Sequence, residues 1–505
     1  MSRAAMAGLA VLAVGLASLG TILLANSPEL SPGGGPWLPG ALSGGVAAWR
    51  PNLAAVLGDP RVTGLSGWPP AFDAPPILAF DFDGDGRKEV VAHGNDSRVW
   101  VFSADGKVLA QLSTRYPPAW HRERILNAVE AGVLAPGEPP SLVVTNHAAY
   151  VTVFRFDAGA SSRSSFVFAK AWERRADECH RSPSMDAKPT LADVDRDGRL
   201  EILVQTEEIG FYALRADGTT LWKQCWAGGN GAPVAAELYG DGRMQVIVGS
   251  DSGLLSVLDG ATGAPLWTFN AQAHGARPGS ITVSPTVGEL DGRLPREVLF
   301  TARVAAEREP SRYHENHVAI FAVRQSMETW QAEIVWMRQP EWANPLSYTR
   351  LVVHDVTGDG RAEVCGMDWN TIGHYPGDWE RLGPAHAFCL DASGRDLWMR
   401  ELDTWWSNSE ILLGDFDGDG RLDILAHGPR DGYDGLWRLD AATGAPRAFL
   451  AIGDWKLSRA PIATDLFGRG TTQLVVPVEP ANGGHRGAIM VFDLGVAYNV
   501  PWPGA

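Results

Sequence analysis

This sequence predicts an all-β fold, an eight-bladed β-propeller, from three observations. The nonapeptide Asp81-Phe-Asp-Gly-Asp-Gly-Arg-Lys-Glu89 returns in register at 193–201, 355–363 and 415–423. Each copy lies between two short apolar runs, such as Val-Val-Ala or Ile-Leu-Val, of the length and composition of strands. Later in the unit, two more apolar runs flank an Asp-Gly or Ala-Thr-Gly turn, which is hairpin chemistry. Four antiparallel strands repeated every 44 to 67 residues make a blade that cannot bury both faces alone, so neighbours must stack and the ring must close.

Units aligned on the acidic loop begin near residues 77, 188, 232, 284, 351, 411 and 461, with worn loops starting at Glu237, Glu289 and Asp465. An eighth unit without the loop fits at 127–157. Seven blades is the alternative, if that unit is an insertion or the last unit completes the first. The hairpin pair is clear at 210–223, around Ala216-Asp-Gly218, and at 255–269, around Asp259-Gly-Ala-Thr-Gly263. Trp222, Trp267 and Trp398 recur on the fourth strand, where packing between blades is their simplest role.

The loops, with Lys188-Pro-Thr, Gly231-Ala-Pro and Ala460-Pro-Ile just upstream, resemble FG-GAP/VCBS repeats, the family of the integrin-α-type propeller. The fourth-strand pattern Leu-Asp-Gly-Ala-Thr-Gly-x-Pro-Leu-Trp also resembles PQQ-like propeller blades. The resemblance covers roughly residues 75–495. It implies fold and cation binding more than any one activity.

Calcium takes six to eight oxygen ligands at about 2.3–2.6 Å, and short acidic loops supply them at alternating positions. Counting Asp81 as position 1, carboxylates fall at Asp81, Asp83, Asp85 and Glu89, with the Arg87 carbonyl as filler. The same reading gives Asp193, Asp195, Asp197, Arg199 and Glu201 in the second loop. It gives Asp355, Thr357, Asp359, Arg361 and Glu363 in the third, and Asp415, Asp417, Asp419, Arg421 and Asp423 in the fourth. Position 12 of the first loop is Ala92, within a strand, so this is not an EF-hand. About four structural Ca2+ sites are therefore expected, with doubtful occupancy at 237 and empty loops at 289 and 465.

The remaining features bound the setting. The net charge is −16, and no Lys/Arg cluster tracks a phosphate backbone, which excludes a nucleic-acid partner. Residues 4–25 carry no charge and are long enough to span a bilayer. Domain boundaries are therefore expected as 1–25, a hydrophobic helix serving as signal-anchor or signal peptide; 26–70, a Pro/Gly-rich tether with one strand at 45–49; and 71–500, the propeller. Leu23 and Ala25 match a cleavage site poorly, so a retained anchor is favoured over a cleaved signal. Arg3 inside places the body outside the cytoplasm, membrane-tethered through this segment alone, or secreted or periplasmic after cleavage.

In the family arrangement the acidic loops occupy one face, and the long connections 113–126, 173–187, 271–283, 338–349, 369–385 and 402–410 collect on the other. Trp120, Trp226, Trp342, Trp369, Trp379, Trp405 and Trp406 in or beside those connections are candidates for a ligand face. The same arrangement implies disulfides Cys179–Cys225, on connections flanking the third unit, and Cys365–Cys389, on adjacent strands of the sixth. Gly-x-Ser-x-Gly, His-Glu-x-x-His and phosphate-loop motifs do not occur, and no catalytic residue is assigned. His93 and His427 recur as Ala-His-Gly by repeat equivalence. The expected function is a calcium-stabilised binding or adhesion module for polysaccharide or protein. A propeller-type polysaccharide lyase is the alternative, and a quinone-dependent dehydrogenase the third reading.

Overall fold

The computed structural model describes residues 47–48, 52–57 and 77–501, the last with gaps at 94–97, 115–126, 182, 227, 277–280, 282, 306–315, 341–349, 369–370, 373–379, 382–383, 403–409, 454, 458–459 and 481–487. They form eight antiparallel sheets that follow one another as the blades of a propeller. Blades 1 to 6 are contiguous in sequence, at 77–113, 127–175, 190–224, 234–270, 286–338 and 352–402. Blade 7 is 412–451, with Ala47–Ala48 added in parallel to its outer strand. The unit at 127 is a full blade and the last unit does not merge into the first, which removes the seven-bladed alternative. A small hairpin, Thr371–Ile372 with Glu380–Arg381, is inserted between the second and third strands of blade 6.

Blade 8 closes the ring. Ile462–Thr464, Thr471–Pro480 and Ala488–Ala497 supply three strands, and Trp455–Leu457 pairs with the far end of Thr471–Pro480. The fourth strand is Asn52–Leu57, antiparallel to Ala488–Ala497. This strand lies inside the stretch read as a tether, so the propeller begins upstream of residue 71. Among the described residues this strand has no hairpin partner nearby in sequence. It pairs instead with the edge of the last blade, where Leu53 is buried. The expected helix at 1–25 falls outside the described residues. Among the described residues, no helix is long and apolar enough to cross a membrane.

Burial within a blade follows its position between neighbours. The second strands, such as Ser141–Asn146 and Glu201–Gln205, are buried at every residue, because other blades cover both faces. The outer strand Pro265–Asn270 alternates instead, with Trp267 and Phe269 inward and the residues between them exposed. Eight apolar clusters result, one between each pair of adjacent blades. The cluster joining Ile77, Val90 and Trp100 to Leu466, Val475 and Val491 seals blade 1 against blade 8.

A fourth-strand tryptophan docks each of several blades on the next. Trp172, Trp222, Trp336 and Trp398 donate Nε1–H to the carbonyls of Ala216 (2.9 Å), Gly260 (2.7 Å), Ala392 (3.0 Å) and Ala441 (2.9 Å), in the third-to-fourth turn of the following blade. The turn glycine lies flat under the indole: Gly263 has φ 68°, and a Cβ there would stand 2.5 Å from Trp222. Trp267 breaks the pattern, because the blade 5 turn has Trp330 at φ 59° and no glycine. Its indole donates to the Tyr239 hydroxyl at 3.0 Å instead.

Candidate functional site

The acidic loops join first and second strands and so share one face of the ring. Their backbone is held by the acids themselves. Position 1 caps the turn: Asp81 accepts from Gly84 N at 2.7 Å and Gly86 N at 2.9 Å, and Asp415 accepts from Gly418 N at 2.7 Å and Gly420 N at 3.0 Å. Position 5 accepts from the position 7 N–H, as Asp85 does from Arg87 N and Asp197 from Arg199 N, both at 2.8 Å. Position 9 reaches back to the N–H of position 2: Glu89 to Phe82, Glu201 to Val194 and Glu363 to Val356, each at 3.0 Å, and Asp423 to Phe416 at 3.3 Å.

The worn loops keep that last bond. Gln245 accepts from Leu238 N and Gln473 from Leu466 N, both at 2.7 Å, and Glu297 accepts from Leu290 N at 3.0 Å. One oxygen at position 9 is therefore a structural acceptor that an amide supplies as well as an acid. Only the second oxygen is available to an ion. This narrows the ligand role expected for Glu89, Glu201, Glu363 and Asp423.

Ligand oxygens converge in three loops, where the atoms lie within 4.8 Å of one another: Asp81, Asp83 and Asp85; Asp193, Asp195 and Asp197; and Asp415, Asp417 and Asp423. The 355–363 loop, with Thr357 at position 3, does not bring three carboxylates together in this way. Burial pushes Glu89 up to about 8, with the Asp83, Asp81 and Asp85 charges adding to it against the Phe82 N–H. Glu201 is pushed to about 7 by the same causes. In the second loop Arg196 holds position 4 at φ 63°, and the buried Asp193 Oδ1 has no hydrogen-bond partner. An all-oxygen donor set, like charges packed together and an orphaned carboxylate oxygen together fit a hard divalent cation.

Two loops receive a guanidinium from the third strand of their own blade. Arg438, on the third strand of blade 7, pairs with Asp417 and lies 3.6 Å from Asp423. Asp423 is nevertheless pushed to about 7, since burial outweighs the pull of Arg438. In blade 5, Arg324 binds Asp291 at 2.9 Å, Glu297 at 3.3 Å and Glu333 at 3.0 Å. No spacing in the sequence announces these arginines, because each arrives from a strand beyond the loop.

The opposite face holds the second-to-third turns and the blade-to-blade connections. Of the aromatic ligand-face candidates, Trp226 is described. It is 37% exposed, packs edge-on to Phe211 at 5.6 Å and donates to Gln224 at 3.2 Å. Trp120, Trp342, Trp369, Trp379, Trp405 and Trp406 lie outside the described residues. Beside Trp226, Cys225 is bonded to Cys179, with Cα atoms 5.1 Å apart. Cys365 and Cys389 face each other across blade 6 and are bonded, with Cα atoms 4.0 Å apart.

This face also carries histidine–carboxylate groupings that sequence reading missed. His386 and Asp368 are buried together in blade 6, Nδ1 to Oδ2 at 2.9 Å, and His427 bonds Asp434 at 2.7 Å in blade 7. The densest grouping joins blades 2 and 3. His147 Nδ1 lies 2.6 Å from Asp186 Oδ1 and 3.8 Å from Glu207 Oε1. Ser184 Oγ bridges Glu207 at 2.8 Å and Glu208 at 2.7 Å. These residues come from two turns and one connection, so no local motif marks them.

Comparison with known proteins follows the same lines. The family model described as outer membrane protein assembly factor BamB matches residues 206–291, from blade 3 into blade 5. Curated proteins give no match. Among solved structures, the quinohemoprotein alcohol dehydrogenase of Comamonas testosteroni is similar over 90% of this chain and 78% of its own, at 13% identity and TM-score 0.51. BamB of Moraxella catarrhalis aligns over 83% and 96%, at 14% identity and TM-score 0.46. Sqt1 of Saccharomyces cerevisiae aligns over 88% and 99%, at 11% identity and TM-score 0.47. The chain is an eight-bladed β-propeller, similar over residues 206–291 to the BamB family model. At these identities the likeness speaks for the fold alone.

Proposed function

We propose that this chain is an exported, calcium-stabilised binding module of the FG-GAP/VCBS type, which presents the face opposite its acidic loops to a protein or polysaccharide ligand. The observation that carries the calcium assignment is the convergence of carboxylate oxygens within 4.8 Å in three loops. Asp81, Asp83 and Asp85, with the Arg87 carbonyl and the second oxygen of Glu89, would hold one ion. Asp193, Asp195 and Asp197, with Arg199 and Glu201, would hold another, and Asp415, Asp417 and Asp423 a third beside Arg438. The ion joins carboxylates that otherwise repel, so its role is to stiffen a hairpin.

Export is supported by the uncharged N-terminal segment and by two disulfides, which persist in oxidising compartments. The BamB description of the matching family model fits a module of the cell envelope. A binding role is supported by the contrast between the faces, since one carries the acidic loops and the other the partly exposed Trp226. The test is a glycan array and a polysaccharide-cleavage assay on the purified chain, with and without chelator. Calcium-dependent retention of a glycan without turnover supports the reading, whereas cleavage of any polymer replaces the binding module with an enzyme.

A further inference from the structure

We infer that His147, Asp186 and Glu207 form a binding site for one divalent cation of the zinc class, clamping blade 2 to blade 3 on the face opposite the acidic loops. Their ligand atoms lie within 4.8 Å of one another, and all three residues are half-buried. This is a mixed nitrogen–oxygen donor set. Imidazole suits zinc and its neighbours in the first transition row, whereas calcium takes oxygen. The new site is therefore chemically separate from the loops on the other face.

The three ligands are held in place before any ion arrives. Met185 N donates to the His147 carbonyl at 3.1 Å, and Glu207 N donates to the Ser184 carbonyl at 3.0 Å, so all three segments are cross-tied through their main chains. Arg175 secures the same segments from below, donating to the carbonyls of Ala148 at 3.0 Å and Pro183 at 3.5 Å. Ser184 Oγ–H orients Glu207 as an outer-shell donor, which is the usual support for a metal-ligating carboxylate.

Charge gives a second, independent reason. The Ser184 hydroxyl has one proton, yet it stands between two carboxylates, Glu207 and Glu208, with Asp186 close by. Three acids against one imidazole and the Arg175 guanidinium that ties the same segments still leave a local excess of negative charge, which a divalent ion would neutralise. Ligands at about 2.0–2.1 Å from a tetrahedral ion stand roughly 3.3 Å apart. The His147–Asp186 contact of 2.6 Å must therefore open by about 0.7 Å, and the His147–Glu207 contact of 3.8 Å must close by about 0.5 Å. Water completes the coordination, so the ion keeps an open position toward the ligand face.

The experiment is a Zn2+ titration of the full chain, stripped of metal and then held in excess calcium, with bound metal counted after desalting. One equivalent of zinc per chain is expected, with a rise in melting temperature, and cobalt in its place is expected to give a visible ligand-field band. His147→Gln and Glu207→Gln should each abolish that equivalent, and Ser184→Ala should weaken it by about 10-fold to 100-fold. Calcium binding to the acidic loops should be unchanged in all three variants, so failure here is distinguishable from failure of the calcium reading. Absence of stoichiometric zinc binding by the folded wild type would overturn the assignment, as would full retention in folded His147→Gln. If that variant does not fold, the cobalt spectrum of the wild type and the Ser184→Ala affinity decide alone.

Discussion

The loops of blades 1 and 5 have the same scaffold and opposite contents. In both, position 9 accepts a hydrogen bond from the N–H of position 2 at 3.0 Å, through Glu89 in one and Glu297 in the other. In blade 1, three aspartates face one another with no guanidinium among them, and Glu89 is pushed to about 8. In blade 5, Arg324 reaches in from the third strand and neutralises Asp291 and Glu297 directly. Where the position 9 acid is kept beside other carboxylates, the loop needs positive charge. Blade 5 meets that need with a side chain, and in blade 1 the proposed calcium would meet it. Blade 7 stands between them, since Arg438 touches an otherwise complete set of carboxylates. The loops of blades 4 and 8 take a third route and replace the position 9 acid with glutamine.

The largest effect that would break this comparison is in blade 5. Arg324→Met leaves Glu297 buried without its partner and should cost about 3 kcal/mol, the low end for breaking a buried pair. Urea unfolding measures it, and the loss should be the same with calcium or chelator. Next, Asp83→Asn with Asp85→Asn should remove one bound calcium, and with it up to about 2.7 kcal/mol of the stabilisation seen at a hundredfold excess over Kd. In chelator the same double change should be nearly silent. Equal cost in both conditions would mean that the aspartates serve only the turn.

A smaller effect concerns pH. Burial holds Glu297 above its ordinary value of 4.5, so its contribution to stability is full below that pH and is lost as pH rises through the folded value. Arg324 pulls that value down, so Arg324→Met should extend the loss to higher pH in denaturation curves. A flat profile in the variant would contradict the role given to Arg324. The smallest effect is expected in blade 4. Gln245→Glu keeps the bond from Leu238 N but loses the Nε2–H donated to the Arg243 carbonyl at 3.0 Å in a buried position, so stability should fall by about 1 kcal/mol, and with Tyr239 still at position 3 no calcium should be gained. A new calcium equivalent would show that position 9 matters more than position 3.

Much of the fold was legible because each blade is local. The Ala216-Asp-Gly218 and Asp259-Gly-Ala-Thr-Gly263 turns fix hairpins within a dozen residues, and repetition of the acidic loop fixes the rest. The cysteine pairs were legible for the same reason, since blade geometry brings Cys365 opposite Cys389. What was not legible is what the ring brings together from afar. Asn52–Leu57 finds its partner at the far end of the chain. Arg324 and Arg438 enter their loops from another strand, and His147, Asp186 and Glu207 meet across two blades. The position 9 acid looked like an ion ligand alone. Only the glutamine loops reveal that half of its work is to hold the turn.

The measurement that bears most directly on the account is calcium titration of the metal-stripped chain, followed by heat of binding and by melting temperature. Saturable binding is expected at the three convergent loops, strongest at 81–89 and 193–201 and weaker beside Arg438, with a melting temperature that rises as they fill. No heat of binding and an identical melting temperature in calcium and in chelator would contradict it.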